Sequence, residues 1–388
     1  MDSLDNVRER IEALEQQMNV MGAHTRTVER RLRWWRGIAY AVSLVSLVSL
    51  AHPSQAADFT CAAGDVTCLI NTIATANMNG ETNTVTLEAS TYMLRAVNND
   101  TDGPNGLPSI TSHLTMRGYG AGRTFIERDT TGPHFRIFHI AAMGTLRLEG
   151  VTVKGGSTEA VTSHRPDRGC GDLDVTAIFG GTGSIAISNT FGGCIEMRGG
   201  SSGIMISNSI ENSIFNQGTW ILTNNAIGGD LENNGGILTA TNNTIRGTVL
   251  NLHKGTITSI NNTIGGGIRN QNGTVLLLNT ILALQDDAFC SGDITSLGNN
   301  LIRDINVCPI NLRTNLDSLM IGDLTGSPEL GDFTETARAG SGHFPLLPTS
   351  PAIDAGNNAV CLVMDQLGQP RVGPCDIGAI EFQYQDDH

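Results

Sequence analysis

Leu222-Thr223-Asn224-Asn225-Ala226-Ile227, Thr239-Ala240-Thr241-Asn242-Asn243-Thr244-Ile245, Ile260-Asn261-Asn262-Thr263-Ile264 and Leu277-Leu278-Asn279-Thr280-Ile281 repeat one pattern, asparagine and small polar residues between apolar ones. Two earlier copies read Ile187-Ser188-Asn189-Thr190-Phe191 and Ile206-Ser207-Asn208-Ser209-Ile210. Aligned on Asn189, Asn208, Asn225, Asn243, Asn262 and Asn279, the copies stand 19, 17, 18, 19 and 17 residues apart. A period near 18 with strand-type alternation is too short for two helices per repeat or for a propeller blade. It suits one coil of a solenoid, about three short strands with their turns, alternate residues pointing inward. The chain is therefore expected to be all-β: a right-handed parallel β-helix, a single-stranded solenoid. Equivalent asparagines on successive coils would stack as an inward structural ladder, each amide bonded to the next. Gly228-Gly229, Gly235-Gly236 and Gly265-Gly266-Gly267 read as tight corners.

Composition points the same way. Of 388 residues 46 are glycine and only 5% are aromatic, which disfavours large helices and suits many tight turns. The net charge of −14 argues against a nucleic-acid partner, because phosphate binding needs clustered Lys and Arg.

A solenoid has open ends that must be covered. Residues 65–77 read as a short amphipathic helix placed to plug the first end. Asp65 is its N-cap, and Cys68, Leu69, Ile73 and Ala76 share a face. Two excursions, Asn98–Ser112 and Ser157–Gly171, interrupt the coils. The eight cysteines fall into four local couples, Cys61/Cys68, Cys170/Cys194, Cys290/Cys308 and Cys361/Cys375. Even number and local pairing predict four disulfides in an oxidising compartment.

Ahead of the coils, Leu4, Val7, Ile11, Leu14, Met18, Met21, Thr25, Val28 and Leu32 step by threes and fours, a heptad seam broken only at Thr25. Residues 1–36 read either as a cytoplasmic coiled-coil-like helix, self-associating through residues 4–32, or as a long signal-peptide lead. Arg30, Arg31, Arg33 and Arg36 with Trp34 and Trp35 precede the apolar run Gly37–Ala51, and Ser54-Gln55-Ala56 offers a peptidase site. Residues 37–56 are thus a cleaved signal core or a retained transmembrane anchor, with membrane contact through residues 37–51. Either way the remainder is exported, secreted or held at the cell surface. Residues 57–349 would be the β-helix and residues 350–388 a C-terminal capping module over coils that end near Ile281.

Several stretches carry a resemblance: Phe59–Ile70, Asp102–Ile110, Ser350–Gly356, Asp365–Arg371 and Cys375–Phe382. They resemble bacterial exported β-helix proteins, and the last three are similar to the terminal module of choice-of-anchor Q domain proteins in the pectate-lyase-like β-helix group. The resemblance covers residues 58–383. It implies a surface or secreted role and does not imply an enzyme.

Catalytic signals are sparse. Lyases of that group need clustered acids for Ca²⁺ with a Lys or Arg base, and hydrolases need paired Asp. Asp286-Asp287 is the one adjacent Asp pair among the coils, and it reads as a turn; His253-Lys254 reads as an exposed corner. Asn98, Asp100 and Asp102, followed by Gly103, are spaced like the start of a Ca²⁺ loop, although Ser109 stands where an EF-hand needs Glu. A plain turn is the alternative. Asp354, Asp365, Arg371, Asp376 and Glu381 read as a structural network held by Cys361/Cys375. The reading is an exported, non-catalytic β-helix that contacts surface glycans or other cell-surface molecules through long flat faces. The alternative is a polysaccharide lyase or glycoside hydrolase of the same fold, marked by acids and a base on one solvent-facing sheet.

Overall fold

The computed structural model describes residues 57–157, 175–286, 288–310 and 322–383. The coiled-coil, signal and anchor expectations for residues 1–56 lie outside these residues. Among the described residues the strands form three parallel sheets of eleven, eleven and seven strands. One coil shows the construction. Ile237–Thr241 lies in the first sheet, Thr244–Ile245 in the second and Val249–Leu252 in the third, and Thr256–Ile260 returns to the first. Each strand pairs with its equivalent one coil away: Leu238 with Ile257, Thr244 with Thr263, Val249 with Ile268. The result is a parallel β-solenoid. Inward residues of all three sheets, such as Leu238, Ile245 and Val249, form one continuous core.

The first end is covered by the helix Val66–Asn79. Asp65 caps it by accepting Cys68 N–H at 2.9 Å, and Gly80 ends it in the left-handed region at φ 71°. Its buried face is Leu69, Thr72, Ile73 and Ala76.

The corner between the first and second sheets explains the asparagine pairs. Its first residue is left-handed in seven successive coils: Ser188, Ser207, Asn224, Asn242, Asn261, Asn279 and Asn299 have φ between 50° and 57°. Asparagine tolerates this conformation better than most side chains. The next residue turns inward. Asn189, Asn208, Asn225, Asn243 and Asn262 are fully buried there. Asn208 Nδ2 donates to Asn225 Oδ1 at 3.0 Å and to the Ala186 carbonyl at 2.9 Å, and Asn225 Oδ1 also accepts Asn208 N–H at 3.0 Å. Both amide donors and both acceptor positions are used, so the buried polar row costs little desolvation.

Asn279 is not a rung of this ladder, contrary to the expectation. Ile264 pairs with Leu282, not with Ile281, so this coil runs one residue longer than motif matching implies. Asn279 lands on the left-handed corner and Thr280 takes the rung, donating its N–H to Asn300 Oδ1 at 2.9 Å. A second inward row, absent from the sequence reading, stands at the end of the third sheet: Asn216, Asn233, Asn251 and Asn270 are linked by amide hydrogen bonds of 2.7, 2.9 and 2.9 Å.

Two further expectations change. The excursion Asn98–Ser112 is part of the solenoid: Leu107 and Ile110 are fully buried, and Asn105 and Ile110 bridge to Arg136 and Ile140 of the next coil. Of the second excursion, residues 158–171 lie outside the described residues. The C-terminal segment does not sit over an open end at Ile281. Coils continue through Leu301–Ile302 and Leu324–Thr325, and the chain then doubles back along the outer face of the second sheet. That face presents small residues. Ser209 meets Glu335 and Gly340, Thr244 meets Gln366, and Thr263 meets Ala379. Ile281 and Leu301 pack with Leu346, Ala352 and Ile377. The left-handed asparagines hold the same segment from the corner: Asn242 donates to the Met364 carbonyl at 2.8 Å and Asn299 to the Ala355 carbonyl at 3.0 Å.

Disulfides join Cys61 to Cys68, Cys290 to Cys308 and Cys361 to Cys375, as the local couples predict. The fourth couple, Cys170/Cys194, is described only on one side. Cys194 is fully buried at the start of the third-sheet strand Cys194–Met197 and is disulfide-bonded. Its expected partner, Cys170, lies outside the described residues, so this pairing stays an expectation. The three described disulfides indicate an oxidising environment.

Candidate functional site

The tail lies along the outside of the second sheet, and the segment Asn98–Ile110 lies against the start of the third. Among the described residues no segment covers the outer face of the first sheet. Alternation places Trp220, Leu222, Leu238, Ile257, Val275 and Leu277 in the core, so the intervening residues face out. From Ser184–Ile187 to Thr274–Leu278 they form three registered rows. The middle row is Ile185, Ile204, Ile221, Thr239, Thr258 and Leu276. On one side stand Ile187, Ile206, Thr223, Thr241, Ile260 and Leu278; on the other stand Ser202, Thr219, Ile237, Thr256 and Thr274. Ile221 is 43% and Ile237 53% exposed, high values for isoleucine inside a sheet. No position in the three rows is ionisable, aromatic or an amide, although the whole chain carries −14. Charge stands at both boundaries: Arg117 and Arg147 pair with Glu149 on the N-terminal side, and exposed Asp293 lies one coil beyond Thr274 on the other. Nearly every side chain in the rows is β-branched, with a stiff χ1, on backbone paired from both sides. The threonine hydroxyls of these rows take no protein hydrogen bond among the described residues.

One polar cluster competes for attention. Buried His139 faces Ser109 Oγ through Nδ1 at 3.0 Å and Asp102 Oδ2 through Nε2 at 3.2 Å. Arg198 Nη1 reaches the same Asp102 oxygen at 2.9 Å, and its Nε reaches Glu196 at 3.1 Å. Arg136 donates to the carbonyls of Thr101, Asp102 and Gly103. Burial first, and then the Arg136 guanidinium, push the His139 imidazole below the ordinary histidine value. Serine, histidine and carboxylate in this order suggest a nucleophilic relay. The environment is that of a clamp instead. The imidazole is 3% exposed, too enclosed to pass a proton to a leaving group, and Asp102 is engaged by Arg198. Together these contacts fasten Asp102–Ser109 to the third sheet.

The other sequence candidates are dispersed. Asp102 of the Asn98, Asp100 and Asp102 set points to His139 and Arg198 rather than to a shared cation position. Among the described residues no three His, Cys, Asp or Glu side chains converge as metal ligands. Asp286 is exposed with φ 52°, and Asp287 lies outside the described residues. His253 and Lys254 form an exposed left-handed corner. In the tail, Arg371 and Glu381 make an ion pair of 2.9 Å with side chains only 3% and 2% exposed. Glu381 also accepts the N–H groups of Val372 and Asp376, Asp365 accepts those of Gln369 and Glu381, and Asp376 accepts those of Asp354 and Phe382. These carboxylates bind backbone and leave no open acid pair. Among the described residues no helix is long and apolar enough to cross a membrane; Gly37–Ala51 lies outside them.

No protein-family model matches the chain, and no curated protein is detectably similar to it.

Proposed function

We propose that this chain is an exported, non-catalytic, right-handed β-helix that contacts an extended neutral surface through the bare face of its first sheet. The observation that carries the reading is the uncharged set of three outward rows on a strongly acidic chain. Contiguous exposed apolar surface of this kind marks an interaction site. Export is supported by the three disulfides and by the order of basic residues, apolar run and small-residue site over residues 30–56. Without aromatic rings, amides or carboxylates in the rows, the face suits a broad neutral surface better than a single glycan chain. A lyase or hydrolase would need open acids beside a base, and the ionised groups around Asp102 are instead paired with one another.

Adsorption of the oxidised full chain to flat methyl- and hydroxyl-terminated monolayers tests this. The wild-type chain is expected to adsorb to both, and Thr239→Lys/Thr258→Lys to adsorb an order of magnitude less. Equal adsorption of the two proteins refutes the reading. Release of reducing ends from polygalacturonate, lost in Asp102→Asn, would establish the enzymatic rival.

A further inference from the structure

We infer that the surface matched by this face is ice, a neutral lattice of water. The inference rests on the contact reading above and adds the chemistry of the partner. The rows form a two-dimensional grid, about 4.8 Å from strand to strand and about 6.7 Å between outward residues along a strand. The parallel registry of six successive strands aligns the rows from coil to coil without a shift, from Ser184–Ile187 to Thr274–Leu278. Stiff β-branched side chains hold methyl groups and hydroxyls at fixed grid points.

Two kinds of group then act on the first water layer. The methyls of Ile204, Ile221 and Ile237 deny water a bonding partner beneath them. The hydroxyls of Thr239, Thr241 and Thr258 each offer one donor and two acceptor positions, and no protein group competes for them among the described residues. Water over such a face is held in register by the hydroxyls and bonded laterally over the methyls, the arrangement of an ice layer. Because the grid is rigid before contact, little side-chain entropy is lost when it meets a crystal.

Other partners fit less well. The face covers roughly 450 Å², from five strands of five residues and one of four at ordinary strand spacings. A second copy would need about 800 Å² per partner for a standard interface, with Trp, Tyr or Arg anchors that these rows lack. Charged polymers and ionic minerals find no counter-charge.

The test is slow growth of ice from a dilute solution of the oxidised full chain, with protein measured in the solid and in the remaining liquid. Grain coarsening in frozen sucrose is followed in parallel. The wild-type chain is expected to enter the ice and to arrest coarsening. Thr239→Lys/Thr258→Lys should require at least an order of magnitude more protein for the same arrest, with an unchanged melting transition. Met78→Lys, which adds one charge on the capping helix where Met78 is 80% exposed, should behave as wild type. Exclusion of the wild-type chain from ice, or equal activity of the face variant, overturns the assignment. If ice fails while monolayer adsorption still depends on Thr239 and Thr258, the contact reading stands without ice. A dimer that sedimentation detects in the wild type and not in the face variant would assign the face to a second copy and overturn ice as the partner.

Discussion

Adjacent asparagines in this chain do opposite jobs, and single substitutions should separate them. Asn225 is an inward rung; truncation to alanine leaves the buried N–H and Nδ2 of Asn208 without their acceptor. Asn225→Ala is expected to cost roughly 3 kcal/mol or more, since each buried group left unbonded costs about 1–3 kcal/mol. Asn224 beside it sits at φ 57°, and its buried Oδ1 has no hydrogen-bond partner. Asn224→Gly relieves the left-handed strain but gains unfolded-state entropy, so stability should change by less than about 1 kcal/mol. Comparable losses for the two variants in denaturant titrations would contradict this division. The ladder was legible because its residues recur at a fixed period with apolar neighbours. The distinction between first and second asparagine was not. Both look alike in Asn242-Asn243 and Asn261-Asn262, and Asn279-Thr280 then invites a shift of one. The second inward row, Asn216 to Asn270, had a similar spacing and a glycine two to four residues later in each coil, a signal hidden by variable neighbours.

At the scale of elements, the inner column of the first sheet runs Ala186, Met205, Leu222, Ala240, Ser259, Leu277. Two small residues in succession leave a small internal cavity lined by Ala240, Ser259, Leu231, Ile245, Val249 and Ile257. Ala240→Val adds methyl groups there in a strand-favouring side chain. It should raise stability by about 1 kcal/mol, visible as a melting temperature higher by a few degrees. A lower melting temperature would mean that the space is too narrow for the added methyls. The tail offers a test in pH. Burial pushes the Asp376 carboxyl up to about 6, against hydrogen bonds from Phe382 and Asp354 N–H. The folded chain therefore keeps a proton that the unfolded chain has released above about pH 4. Stability contributed by this group falls as pH rises from about 4 through about 6. Hydrogen exchange of residues 350–382 should be better protected at pH 5 than at pH 7, and Asp376→Asn should flatten that difference. An unchanged slope in the variant would assign the pH dependence elsewhere. The tail's carboxylates could be recognised as structural from their glycine-rich and proline-rich setting. Their position on the flank could not, because nothing in residues 350–382 states which outer face they match. The matching signal lay in the coils, in the small residues Ser209, Ala226, Thr244 and Thr263.

At the scale of the whole molecule, a solenoid is close to one-dimensional, and each coil is stabilised mainly by its neighbours. Such a stack can fray from its ends, and local opening then costs less than global unfolding. The returning tail changes that. It bonds to Ser209 through Gly340, to Thr244 through Gln366, to Thr263 through Ala379 and to Asn299 through Ala355, and so ties distant coils together. It also covers Ile281 and Leu301, which would otherwise expose apolar surface on the outer face of the second sheet. Removing residues 327–388 should therefore uncouple the coils rather than merely open one end. The truncated chain is expected to melt over a broad range, with calorimetric enthalpy exceeding the van't Hoff value. Hydrogen exchange should lose protection first in Thr274–Leu278 and Leu301–Ile302, while the coils carrying Asn189, Asn208 and Asn225 stay protected to higher temperature. The aromatic–aliphatic core and the amide ladder of those earlier coils do not depend on the tail for their internal partners, which is why they should persist. A truncated chain with one sharp transition and uniform exchange would show that coil-to-coil contacts alone make the solenoid cooperative, and that the tail shields the second sheet without clamping it.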